Sequence, residues 1–190
     1  GYRGQVRAQV RATGATNDRS PSYTFSATKS GTISYGGSCS SDNTSASTNN
    51  NTITFDNMSD GTYSNCTVTV TGNDNVSSDY LTVSSFSIDT VKPALAEVTA
   101  IGATIDSTPS YTFSSTEAGT VIYSGSCSSD NKTASAGNNT FALDNMHDRT
   151  YSNCRIQVRD SANQHHRHLL RRPRRQPLTH PHPPQPSTHT

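Results

Sequence analysis

Apolar residues recur along this chain in short runs with a period of two. Tyr23 and Phe25 alternate with Thr24, Ile33 and Tyr35 with Ser34, and Ile53 and Phe55 with Thr54. In "CTVTV" the residues Cys66, Val68 and Val70 share one parity and threonines take the other. Such runs, rich in β-branched and aromatic residues and separated by Gly/Asn/Asp/Ser clusters, predict half-buried β-strands. Nothing between Gly14 and Asp89 repeats with a helical period long enough to compete. In "YLTVSSFSID" the parity breaks, because Leu81 and Val83 fall on one face and Phe86 and Ile88 on the other. A bulge near Ser84 and Ser85 would bring both pairs to the core. About seven such strands in one segment predict a two-sheet sandwich.

The pattern is written twice, 88 residues apart. "PSYTFSATKSGTISYGGSCSSDN" from Pro21 lies over "PSYTFSSTEAGTVIYSGSCSSDN" from Pro109, and 32 of the 52 positions from Ser20 to Thr71 are identical to their counterparts. A period this long points to tandem domains rather than a solenoid of short units. The expected organisation is a first repeat over residues 1–90, a second over 91–164 and a tail over 165–190. The first repeat opens weakly. "GQVRAQVRATG" aligns with "KPALAEVTAIG", so Val6 and Val10 match Ala94 and Val98, but Arg7 and Arg11 replace Leu95 and Thr99. A weak first strand from Gln5 to Val10 is expected there.

"DGTYSNC" adds detail. A tyrosine entering a strand after an Asp-Gly turn, shortly before a cysteine, resembles the tyrosine corner of immunoglobulin-like sandwiches. Tyr63 stands three residues before Cys66, and the chain has no Trp, so antibody-type domains fit poorly. The string assembled from both copies, "TPSYTFSSTEAGTV…GSCSS…NNT…DGTYSNCTVTVTG…SSFSID", resembles the bacterial Ig-like repeats of large secreted and cell-surface proteins, over Gly14 to Asn163. That resemblance implies two tandem Ig-like β-sandwiches in an extracellular stalk or adhesin segment. Its partners would be neighbouring repeats of the same polypeptide, with a cell-surface glycan or protein as a further option. It brings no catalytic residues to carry over.

Composition makes cross-links important. Only 29% of the residues are hydrophobic, which is little for a domain core. The four cysteines suit an oxidising compartment. Cys39 and Cys66 are 27 residues apart, as are Cys127 and Cys154. Each repeat thus holds a complete pair, and a disulfide within each repeat is expected. Zinc would want thiols two to four residues apart or histidines nearby. A catalytic thiol would want a base, yet the first repeat has no His, and His147 of the second stands where the first has Ser59. No nucleophile with a base recurs in both copies, so the chain reads as a non-enzyme.

Asp and Asn gather in loops, and oxygen-rich loops can hold calcium. The candidate ligands are Asp74, Asp79, Asp89 and Asp106, against the plainer reading that such residues serve turns. Asn-x-Ser/Thr triplets at Asn43, Asn57, Asn75 and Asn131 are read as chance in so polar a chain. No apolar run approaches the ~20 residues of a membrane helix.

Charge sets the tail apart. All 14 acidic residues lie at or before Asp160, and Lys plus Arg up to Gln164 number 10, giving 10 − 14 = −4; the last 26 residues hold five Arg and six of the seven His. The tail's histidines invite a metal reading and its arginines a nucleic-acid one, and neither is adopted. The 88-residue offset places Leu169 under Leu81 but Arg171 under Val83, Arg174 under Phe86 and Gln176 under Ile88. On that alignment the second repeat loses its last strand. The tail from His165 is then expected to be a disordered, out-of-frame extension, leaving the second repeat the less stable. The functional expectation is a spacer or stalk. A carbohydrate- or cell-surface-binding accessory of a secreted enzyme is the alternative, disfavoured because no aromatic residue lies between Gly36 and Thr52.

Overall fold

The computed structural model describes residues 6–8, 14–170 and 174–175. These fall into two compact units, one drawn from Gly1–Lys92 with Ser161–Gln164 and the other from Pro93–Asp160 with His165–Thr190. Every regular element among the described residues is a strand, and no helix is long and apolar enough to cross a membrane.

The first unit contains β1 (Val6–Ala8), β2 (Ala15–Thr16), β3 (Ser22–Ala27), β4 (Gly31–Gly36), β5 (Ser45–Ala46), β6 (Asn49–Thr54), β7 (Gly61–Tyr63), β8 (Thr67–Gly72), β9 (Leu81–Thr82) and β10 (Phe86–Ile88). They form sheets of order β1-β3-β6, β2-β10-β7 and β5-β4-β8-β9. The inward parity predicted from sequence is the buried one. Phe25 and Val68 are fully covered, and Tyr23, Ile33, Ile53, Phe55 and Val70 lie beside them. Phe55, Phe86 and Tyr63 stack in succession, with centroids 5.9 and 5.4 Å apart. The outward parity is threonine and serine, whose hydroxyls pair across strands, as in Thr24–Thr52 at 2.9 Å.

The second unit contains β11 (Leu95–Thr99), β12 (Ala103–Thr104), β13 (Ser110–Ser115), β14 (Gly119–Ser124), β15 (Thr133–Ala134), β16 (Gly137–Ala142), β17 (Arg155–Arg159), β18 (His165–Leu169) and β19 (Arg174–Arg175). Its sheets run β11-β13-β16, β12-β19 and β15-β14-β17-β18. Both units are β-sandwiches, each closed over its own core and stapled by its own disulfide.

Two expectations need correction. First, the parity break after Val83 is not a bulge within one strand. β9 pairs with β8, whereas β10 pairs with β7 and β2. The chain leaves one sheet at Val83 and joins another at Phe86, so both parities reach the same core.

Second, the second repeat keeps its last strand, and His165 does not begin a disordered segment. β18 pairs antiparallel with β17 over five residues, Arg155↔Leu169 through Arg159↔His165. Leu170 is 1% exposed and joins the core. Its N–H donates to Cys154 O at 2.8 Å, as Val83 N–H does to Cys66 O at 2.9 Å. Leu170, not Arg171, is therefore the counterpart of Val83. A bulge explains the slip. In the first repeat Thr71 bridges Ser77 while Val68 pairs with Leu81, which sets both Asp79 and Tyr80 opposite Thr69. In the second, Arg167 alone faces Gln157. With one residue fewer, the offset falls from 88 to 87 beyond the hairpin. Arg174–Arg175 then pair with Ala103–Thr104 as Ser87–Ile88 pair with Ala15–Thr16. Of the expected opening strand, Val6–Ala8 pairs with β3; its remaining residues, and 171–173 and 176–190 of the tail, lie outside the described residues.

Candidate functional site

The feature most faithfully written twice is the loop "GSCSSDN". Each copy follows β4 or β14 and carries one half of a disulfide. Cys39 joins Cys66 and Cys127 joins Cys154, with Cα–Cα distances of 5.3 and 5.2 Å. All four cysteines are buried and none is free. The thiols are consumed in a cross-link, so nucleophilic and metal-ligand roles are closed to them.

The rest of the loop is explained by its own bonding. Gly37 and Gly125 adopt φ of 72° and 83°, and a Cβ there would lie 2.0 and 1.9 Å from Asn65 O and Asn153 O. Only glycine serves at such a left-handed, crowded position. Ser41 Oγ donates to Thr54 O at 2.6 Å, and Ser129 Oγ to Ala142 O at 2.7 Å. Asn43 and Asn131 donate their N–H groups to those same hydroxyls at 3.1 and 3.3 Å. Ser38 N–H reaches Asn65 Oδ1 at 3.2 Å, and Ser126 N–H reaches Asn153 Oδ1 at 3.3 Å. Tyr35 and Tyr123 close the loop by donating to Asn43 O and Asn131 O. Burial raises both phenol pKa values, opposed by the serine hydroxyls of Ser41 and Ser129. The loop's serine, asparagine and tyrosine are thus tied to its own backbone, while Asp42 and Asp130 are exposed.

The tyrosine corner is present twice as well. Tyr63 donates to Ser59 O at 2.9 Å and Tyr151 to His147 O at 3.1 Å. His147 thus contributes its backbone to the corner, at the position Ser59 fills in the first repeat.

Three of the four calcium candidates accept local hydrogen bonds. Asp74 is ion-paired to Lys29 at 2.6 Å and accepts Val76 N–H; the Lys29 bond, then that N–H, lowers its pKa. Asp89 accepts Val91 N–H at 3.1 Å, and Asp106 accepts both Thr108 N–H and its hydroxyl. Asp79 sits in the hairpin bulge, exposed. No three of these four gather their carboxylates among the described residues. Another aspartate, Asp60, anchors the end of β10. It accepts the N–H and hydroxyl of Thr90 and pairs with Arg19 at 2.9 Å, which together lower its pKa, the Thr90 N–H most.

A small depression in the first unit is lined by Ala27, Thr28, Lys29, Val70, Val76 and Ser78. It has room for about one water molecule, and its lysine is engaged by Asp74. Beside this hairpin Tyr80 is 73% exposed. The sequence reading missed that residue because it searched for aromatics only between Gly36 and Thr52. It also passed over the outward residues of β17, where Arg155 and Arg159 are exposed; comparing "CRIQVR" with "CTVTVT" position by position is the signal that finds them.

No family model matches the chain, and no curated protein or solved structure does either.

Proposed function

We propose that this chain is a non-enzymatic, extracellular pair of Ig-like repeats that acts as a spacer or stalk within a bacterial surface or secreted adhesin-like protein. The observation carrying this reading is where the two copies agree. Identity falls on the framework: the cysteine pair, the corner tyrosine, the left-handed glycine, and the serine and asparagine that tie the loop. Several exposed side chains are exchanged, although Asp18, Asp42, Asp56 and Asp60 recur as Asp106, Asp130, Asp144 and Asp148. Lys29 becomes Glu117, Arg19 becomes Ser107 and Gly61 becomes Arg149. A binding or catalytic site copied with its domain would keep its surface chemistry, whereas a structural module need keep only what folds it. The two disulfides support an oxidising location, and the resemblance to bacterial Ig-like repeats supplies the setting.

The flanking coding sequence tests this. Further copies of the same unit together with an export signal are expected. A catalytic domain joined directly to this pair, with no additional repeats, would overturn the stalk in favour of an accessory module.

A further inference from the structure

The two copies of the central strand differ in a one-sided way. Inward, β17 keeps what β8 has: Ile156 for Val68, and Val158 for Val70, all buried. Outward, all three threonines are replaced. Thr67, Thr69 and Thr71 become Arg155, Gln157 and Arg159, with both arginines exposed. Here the core is retained and one solvent face is rebuilt with cations.

The neighbouring strand extends this face. In register, His165 stands opposite Arg159, Arg167 opposite Gln157 and Leu169 opposite Arg155. On the other side Thr120, Ile122 and Ser124 pair with Arg159, Gln157 and Arg155, and Thr133 pairs with Thr120. Arg155 and Arg159 are separated by about 14 Å at ~3.4 Å per residue. The result is a pair of exposed guanidinium groups, Arg155 and Arg159, on one face of the sheet.

We infer that the outer face of β14, β17 and β18 binds a linear anionic polysaccharide, one bearing sulfate or carboxylate groups, through Arg155 and Arg159. Guanidinium forks match planar carboxylates and sulfate oxygens with paired hydrogen bonds, and a row of fixed positive charges attracts a polyanion through its counterion atmosphere. Nucleic acid fits this face less well. A four-stranded sheet is too wide to enter a duplex groove, and none of the outward positions is aromatic, so single strands find no stacking platform. The inference uses the extracellular reading only for where such a polymer is met.

The test uses the full oxidised chain on immobilised heparin as the sulfated polysaccharide, with single-stranded DNA of similar length as the comparison. The variant R155T/R159T restores the residues of the first repeat and so suits its strand. Hydrogen exchange in β17 checks that it folds. Wild type is expected to be retained on heparin and to elute at higher salt than from DNA. The variant is expected to elute earlier and to bind about tenfold or more weakly near physiological salt, by analogy with the loss of two charge contacts to a polyelectrolyte. R155K/R159K is expected to recover most of the retention. Elution of R155T/R159T together with wild type would place any affinity in other cations and overturn the inference, as would stronger retention on DNA. Either failure would leave the spacer reading intact.

Discussion

Removing either disulfide probes how these sandwiches hold together. Cys39–Cys66 and Cys127–Cys154 each span 27 residues. In the chain-entropy model a closed loop of about 28 residues stabilises a fold by about 3.6 kcal/mol at 25 °C. A unit of about 80 residues carries roughly 4–12 kcal/mol in all, so the cross-link supplies a large share. The expectation that the second repeat depends more on its disulfide rested on a lost final strand, and β18 with Leu170 restores that strand. Equal spans and equally buried cysteines therefore predict equal losses. The variants C39A/C66A and C127A/C154A of the full chain should each lower the stability of their own unit by 3–4 kcal/mol, or roughly 15–25 °C in Tm. Deletion of the sulfurs from the core adds a packing cost that is the same in both. Hydrogen exchange reads the units separately, through β3 and β8 in one and β13 and β17 in the other. A loss below about 1 kcal/mol in either unit would refute the entropic argument. A difference above about 2 kcal/mol between units would refute the equivalence of the two frameworks.

Other expectations follow from single contacts. Tyr63→Phe and Tyr151→Phe each remove the corner hydrogen bond and should cost about 1 kcal/mol in denaturant titrations; no change at either site would make the corner ornamental. Gly37→Ala or Gly125→Ala forces a side chain into left-handed backbone against a carbonyl oxygen and should cost roughly 3 kcal/mol or more. Deleting Tyr80 converts the bulged hairpin into the register of the second repeat and should leave the first unit's midpoint nearly unchanged. A large loss there would contradict the bulge assignment. Tyr111 is almost fully buried and donates to Glu97 at 3.3 Å, and burial, then the Glu97 charge, raises its phenol pKa. A raised folded-state pKa gives stability that is complete below the ordinary tyrosine range and lost as pH rises through the folded value. Ultraviolet titration should therefore show Tyr111 ionising only as the second unit unfolds in alkali, and Tyr111→Phe should lower the amplitude of that step by one tyrosine.

Much of this architecture was legible in the residues. Period-two alternation placed Phe25, Ile33, Ile53, Val68 and Val70 in the core, because one buried face forces that parity. The cysteine pairing followed from a spacing repeated with its module, and the corner tyrosine from its turn. Two things were not legible for one shared reason. Alignment at a constant offset treats the chain as rigid, whereas a bulge absorbs a residue without moving the strands on either side of it. Asp79 and Tyr80 share one partner position in the first repeat. The second repeat lacks that extra residue, so every counterpart past the hairpin was read one place late and Leu170 was overlooked. The break between Val83 and Phe86 was seen but misassigned, since a parity change looks alike whether a strand bulges or crosses to another sheet. The acidic residues show a different limit of sequence reading. Asp74 and Asp106 bond their own surroundings, which composition cannot distinguish from ligation. The rebuilt face of β17 was visible throughout, but only to a comparison of outward residues alone.

The pairing of β2 with β10 bears on how a unit responds to pulling. β2 lies early in the first unit and β10 at its end, and they run parallel, tied by Ser87 N–H to Gly14 O and Asp89 N–H to Thr16 O. Tension applied through the two ends of such a unit loads these bonds together in shear rather than opening them one after another. If that clasp yields, the cystine still withholds the segment between Cys39 and Cys66. About 95 Å of contour, at ~3.5 Å per residue, cannot pay out while the bond survives. An oxidised unit is therefore a short-travel tether, and reduction would lengthen its reach as well as weaken it.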